Sequence, residues 1–197
     1  MVINKEIYKA IKEGNNIIST KQVLSLGFSK QLLTKYVQNG VLERLRQGMY
    51  TLPDIIHDDM YTISLRSAKM IFSHDTALFL QGLSERTPFV HTVTMPSNAA
   101  LPKSLKDECI CFYVKPELFT IGVTPKKTTF GNPVKCYDVE RTICDFIRCR
   151  KRCNEEMVVS AIKNYASYDK KNLNLLVKYA KIFKIEKEVK RYLEVLL

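Results

Sequence analysis

The chain has 197 residues, 46% hydrophobic and 26% charged, with 31 Lys and Arg against 20 Asp and Glu for a net charge of +11. That length fits one large or two small domains, and the sequence shows no internal repeat, low-complexity segment or apolar run of membrane-spanning length. The basic excess is split between the ends: residues 1–57 carry +4, residues 58–150 only +2, and residues 151–197 carry +5. This pattern suits polyanion-facing surfaces at both ends of the chain.

The first helix runs from Asn4 to Gly14, and Ile17-Ile18-Ser19-Thr20 is a short extended piece ending in a capping residue. Lys21–Gly27 is a compact helix stopped by Gly27, which tolerates a left-handed exit. Ser29 caps a third helix, Lys30–Asn39, and Val41–Leu52 reads as two alternating strands about a Gln47-Gly48 turn. Helix, helix, glycine turn, helix, hairpin is the order of a winged helix-turn-helix, a fold that points to double-stranded DNA.

Within the third helix, Leu32, Leu33, Tyr36 and Val37 form the expected buried stripe. The opposite face holds Ser29, Lys30, Gln31, Thr34, Lys35 and Gln38 with no acid among them, a set that can reach base edges and phosphates in a major groove. Arg44, Arg46 and Gln47 beside the wing turn suit the phosphate backbone or the minor groove. The alternative is a solvated face on a protein-binding winged domain.

Pro53–His57 reads as a linker, dividing a DNA-binding domain (1–57) from an α+β domain (58–197). There the pattern predicts a helix over Asp58–Lys69, an extended Ile71-Phe72, and a helix capped by Ser73 and running to Gly82. Strands follow at Phe89–Met95, Cys109–Lys115, Thr120–Val123 and Pro133–Tyr137, around a Gly131-Asn-Pro turn. Asp138 caps Val139–Arg150, Asn154 caps Glu155–Tyr165, and Leu173–Phe183 and Ile185–Leu196 form a helical tail. The fold class is α+β: a winged helix-turn-helix, then a mixed or antiparallel sheet with a C-terminal helical tail.

The six cysteines lack the paired Cys-x2-Cys spacing of a structural zinc site, and four lie in apolar runs where buried thiols are ordinary. Reduced thiols and the lack of a signal peptide read as cytoplasmic. Asp138, Glu140 and Asp145 invite a nuclease reading, yet no Glu-x-Lys sits on a candidate strand to complete a Mg²⁺ site. Asp138 has the position of a helix cap, and Arg141 and Asp145 are spaced for an intrahelical ion pair. His74 is expected to bond locally. Hence no catalytic residue, metal or cofactor is expected.

In the tail, Leu173, Leu176, Ala180 and Phe183 form one expected seam, and Ile185, Val189, Tyr192 or Leu193, and Leu196 another. Lys171, Lys178, Lys181, Lys184, Lys187 and Arg191 line up away from them. These residues form either a solvated face or a contact for a polyanion or an acidic surface.

Four segments carry a resemblance: Ile71–Pro88, with its Ser73-His-x-x-Ala-Leu78 and Gly82-Leu-Ser-x-Arg-Thr-Pro88 strings, Val93-Thr-Met-Pro96, Gly131-Asn-Pro-Val134, and Tyr137–Ile147, with its Asp138-x-Glu-Arg-Thr-x-x-Asp145 string. Together with the N-terminal winged helix, the chain resembles the AbiEi antitoxins of AbiE abortive-infection systems, type IV toxin–antitoxin pairs of bacterial phage defence. The resemblance implies that the N-terminal domain binds inverted repeats in its own promoter and represses its operon. It also implies that the second domain counters a nucleotidyltransferase-like toxin without a stable complex. The antitoxin surface is expected on the basic line Lys171–Arg191. The competing reading is a ligand-responsive or dimerising transcription regulator without antitoxin activity.

Overall fold

A computed structural model describes residues 1–56, 58–84 and 86–196, without the side chains of Val195 and Leu196. The expected Leu196 seam position therefore lies outside the described residues, as do His57 and Glu85. The chain divides into two compact units, 1–59 and 60–197.

In the first unit, α1 (Lys5–Glu13) starts where Asn4 accepts from the Glu6 amide, and β1 (Ile17–Ser19) follows a tight reversal. Gly14 is needed there for space: a Cβ would stand 2.5 Å from the Ile17 carbonyl oxygen. The next cap is Ser19 rather than Thr20. Its hydroxyl accepts from the Gln22 amide while Gln22 reaches back to the Ser19 amide, a reciprocal box that starts α2 (Thr20–Ser25). Then come α3 (Lys30–Gln38), β2 (Glu43–Arg46) and β3 (Met49–Thr51). The hairpin is joined by β1 in an antiparallel sheet of order β1-β3-β2, with an irregularity between Arg44 and Arg46. Ile7, Ile11, Ile18, Val23, Leu33, Tyr36, Leu42 and Tyr50 form the core.

The second unit is built on a five-stranded mixed sheet. Its elements are α4 (Asp59–Ser64), β4 (Ile71–Phe72), α5 (His74–Leu80), β5 (His91–Pro96), β6 (Cys109–Val114), α6 (Pro116–Phe119), β7 (Val123–Lys127), β8 (Pro133–Tyr137), α7 (Val139–Arg148), α8 (Glu155–Ala166), α9 (Leu173–Phe183) and α10 (Glu186–Leu196). Strand order is β6-β5-β4-β8-β7; β5/β6 and β4/β8 are parallel, the other two pairs antiparallel. The class is α+β with a mixed sheet and a helical tail. One core joins Leu78, Ile143, Phe146, Ile147, Ile162, Leu176 and Val189 from the helices, and a second joins Ile63, Phe72, Val93, Leu105, Val134 and Cys136.

Four expected elements shift. The helix expected over Asp58–Lys69 ends at Ser64, where Ser64 bonds back to the Tyr61 carbonyl and the chain turns. Phe89 and Val90 precede β5 and face solvent, because the β5/β6 ladder begins only at His91↔Cys109. Thr120–Gly122 is a turn after α6, and the strand is Val123–Lys127. Pro125 is tolerated there because β7 is an edge strand paired only with β8. Finally, α7 stops at Arg148, followed by a short 3₁₀ turn over Arg150–Arg152.

Candidate functional site

Ser29, Lys30, Gln31, Thr34, Lys35 and Gln38 are all exposed, whereas Leu33 and Tyr36 are buried, with Leu32 and Val37 half-buried beside them. Burying Leu33 stabilises the packing of α3 by about 2 kcal/mol and fixes which face remains outward. Tyr36 adds a tether, its hydroxyl accepting from the Asn4 amide at 2.9 Å. The result is an acid-free polar helix face held on a rigid base. Ser29 occupies the cap position without making a side-chain cap bond, which leaves its hydroxyl available for an outside acceptor.

On the wing, Arg44 and Gln47 are exposed, while Arg46 is half-buried with Nη1 out of solvent. The Arg44 guanidinium lies 6.0 Å from the Tyr50 ring centroid, a cation–π contact made by a side chain that stays exposed. The wing turn is also tied to the start of α2, since the Thr20 amide donates to the Gly48 carbonyl at 2.9 Å. Exposed Lys21 therefore stands beside the wing. Sequence reading passed over Lys21, although a lysine directly after a capped start is visible in the chain.

In the second unit, the Asp-x-Glu-Arg-Thr-x-x-Asp string forms a buried polar lock. Asp138 caps α7: its Oδ1 accepts from the Arg141 amide at 2.7 Å and its Oδ2 from the Tyr179 hydroxyl at 2.8 Å. Burial holds the Asp138 carboxyl above its ordinary pKa. Arg141, fully buried, reaches Asp145 at 3.0 Å and donates to the Leu118 and Ile121 carbonyls at 2.9 and 2.7 Å. Its guanidinium lies 4.1 and 4.2 Å from the Tyr137 and Phe183 ring centroids. Gly122, at φ +77°, closes against it, for a Cβ there would meet the Arg141 Cβ at 2.7 Å. Asp145 also accepts from Arg148 at 2.9 Å, and Glu140 accepts from the Asn172 amide at 2.7 Å. The expected Arg141–Asp145 pair forms, and these groups join α7 to the α6–β7 turn and to α9.

His74 bonds locally, with Nδ1 3.1 Å from the Ser73 hydroxyl and its ring stacked 3.7 Å over Phe112. Burial lowers its pKa to about 4, against an opposing pull from Asp145. Ser73 itself makes no side-chain cap bond; instead the Thr92 hydroxyl of β5 accepts from the Thr76 amide at 3.0 Å. None of the six cysteines is in a disulfide, and burial pushes the Cys136 and Cys144 thiols up to about 12. Among the described residues, no group of three His, Cys, Asp or Glu could hold a metal ion, and no helix is long and apolar enough to cross a membrane.

On the tail, Lys178, Lys181, Lys184, Lys187 and Arg191 are exposed. Lys171 departs from them: it is half-buried and donates to the Ala166 carbonyl at 2.9 Å, satisfying an end of α8. Leu173 also leaves its expected seam. It is 37% exposed and Tyr179 is buried instead, because α9 turns Leu176, Tyr179, Ala180 and Phe183 inward.

The geometry defines a class: a winged helix with an outward acid-free helix, followed by a mixed-sheet domain with a helical tail. The family model described as "Transcriptional regulator, AbiEi antitoxin" matches residues 5–53, so the AbiEi resemblance stands on the winged segment. That match supports a protein of the transcriptional-regulator and antitoxin kind. The motif strings of the middle region lie beyond the matched residues. The crystal structure of the RV2827C protein from Mycobacterium tuberculosis shares the fold, with a TM-score of 0.56 at 12% identity over 95% of this chain and 79% of that one. No curated protein matches the chain in sequence.

Proposed function

We propose that the protein is a cytoplasmic, DNA-binding autorepressor and the antitoxin partner of a nucleotidyltransferase-like toxin. The observation that carries the DNA reading is the exposed, acid-free face of α3 within the segment matched to AbiEi regulators. Lys30, Gln31, Thr34 and Lys35 enter the major groove, Ser29 and Gln38 flank them, and Arg44, Arg46 and Gln47 hold the backbone beside the wing. Residues 1–57 are assigned to DNA and residues 58–197 to antitoxicity. The operator is an inverted repeat in the protein's own promoter.

Antitoxicity is assigned to Lys178, Lys181, Lys184, Lys187 and Arg191, with Lys171 as a supporting residue. These long donors suit phosphates without base readout, as expected of a surface that competes with the toxin for a polyanionic substrate. A stable complex with the toxin is not required, and no catalysis is assigned to this chain.

The test is a gel shift on the promoter of the chain's own operon, paired with growth rescue against the neighbouring toxin gene. Gln31→Ala with Thr34→Ala is expected to weaken specific binding while sparing rescue. Glu substitutions at Lys178, Lys181 and Lys187 should abolish rescue and reduce operator binding only modestly. Unchanged promoter binding in the first variant would sink the α3 assignment.

A further inference from the structure

The helical tail has a second face, unlike the basic one. Between α9 and α10 lies a groove of about 530 Å³, floored by Val177, Ala180, Val189 and Leu193 and rimmed by Glu186, Lys190 and Glu194. Val177 is 42% exposed, so apolar floor is open to solvent. The rim is net acidic in a chain of net charge +11, which makes it a poor seat for nucleic acid. Its charges alternate acid, base, acid at steps of one helical turn, about 6 Å apart. Lys190 and Glu194 are exposed and 3.6 Å apart within the chain.

An alternating stripe of this kind is its own complement when two copies run antiparallel about a two-fold axis. A register level with Glu188 sets Glu186 against the partner copy's lysine at the same position as Lys190, and one level with Tyr192 sets Lys190 against the partner copy's Glu194. The register centred on Lys190 opposes like charges throughout and is disfavoured. The floor supplies the apolar centre and the stripe selects the register, as in helical pairing generally. We propose that this groove is a docking surface for a second copy of the chain, closed antiparallel along α10. Lys178, Lys181, Lys187 and Arg191 sit at other positions around the same helices and do not line the groove.

The test is sedimentation of the full, DNA-free chain at about 50 µM, where a micromolar contact is populated. Wild type is expected to run as a dimer. Val177→Glu, at an exposed position that spares the core, and Lys190→Glu, which makes the stripe wholly acidic, should each weaken association by at least about tenfold. A Glu186→Lys/Glu194→Lys variant, wholly basic along the stripe, should also be monomeric alone. Mixed with Lys190→Glu, it should form a dimer of one of each. A monomeric wild type would overturn the proposal, as would a dimer that persists in both Val177→Glu and Lys190→Glu. Failure of the two complementary variants to pair, with each folded by circular dichroism, would overturn it too.

Discussion

Helices α3 and α7 both carry charge in the middle of a globular unit, and they place it in opposite surroundings. In α3, Leu33 and Tyr36 are buried and the polar residues face water. In α7, nine of ten residues are buried, among them Glu140, Arg141 and Asp145. A charge left in water keeps its reach toward a partner, whereas a buried one is committed to the groups that replaced its hydration. The charged string that draws the eye as a catalytic motif is thus the one whose carboxylates are occupied, and the plainer face of α3 is the one left available.

The largest effect that would test this contrast is loss of the lock. Arg141→Ala is expected to destabilise the second unit by about 3–5 kcal/mol, since it leaves the buried Asp145 with Arg148 alone, removes the donors to Leu118 and Ile121 and empties the space between Tyr137 and Phe183. Urea unfolding measures it, and a loss under about 1 kcal/mol would mean the buried charges carry little weight. Next comes His74, whose folded pKa of about 4 lies below the ordinary 6.5. The stability its neutral ring contributes is complete above pH 6.5 and is lost as pH falls toward 4, about 3 kcal/mol in all. A His74→Asn variant should show a flatter decline over that window in urea titrations; an equal slope would remove His74 from the account.

Gly122→Ala is smaller, about 2 kcal/mol, combining a positive φ with overlap on Arg141. Thermal melts should report it without a change in promoter binding. Smallest are the α3 and wing substitutions. Gln31→Ala should cost about 1–2 kcal/mol in specific DNA binding and none in stability. Arg44→Ala should lower the salt dependence of binding by about one phosphate contact. If Gln31→Ala instead destabilised the fold, α3 would resemble α7 and the contrast would fail.

The α3 elements were legible because their signals are local: the Ser29 position, the period of Leu33 and Tyr36, and Gly27 and Gly40 at positive φ. The Asp138 cap and the Arg141–Asp145 pair were legible for the same reason, being three and four residues apart. What stayed hidden was non-local. Nothing near Arg141 announces that it will seek carbonyls at 118 and 121, or that Glu140 will hold the amide of Asn172. Strand β7 was misplaced because Thr124-Pro125-Lys126-Lys127 has the composition of a loop, and only its edge position makes it a strand. Lys171 lies in register with the basic line, yet the end of α8 claims its ammonium.

Lys184 ends α9 in the left-handed region at φ 56°, with its amide shared between the Ala180 and Lys181 carbonyls. A side chain there costs about 1 kcal/mol relative to glycine. Lys184→Gly therefore removes one positive charge from the tail while making the α9–α10 corner more stable. Most charge deletions leave it unclear whether activity was lost with the charge or with the fold. At this corner the two effects have opposite signs, so a fall in toxin rescue accompanied by a higher melting temperature can only be electrostatic.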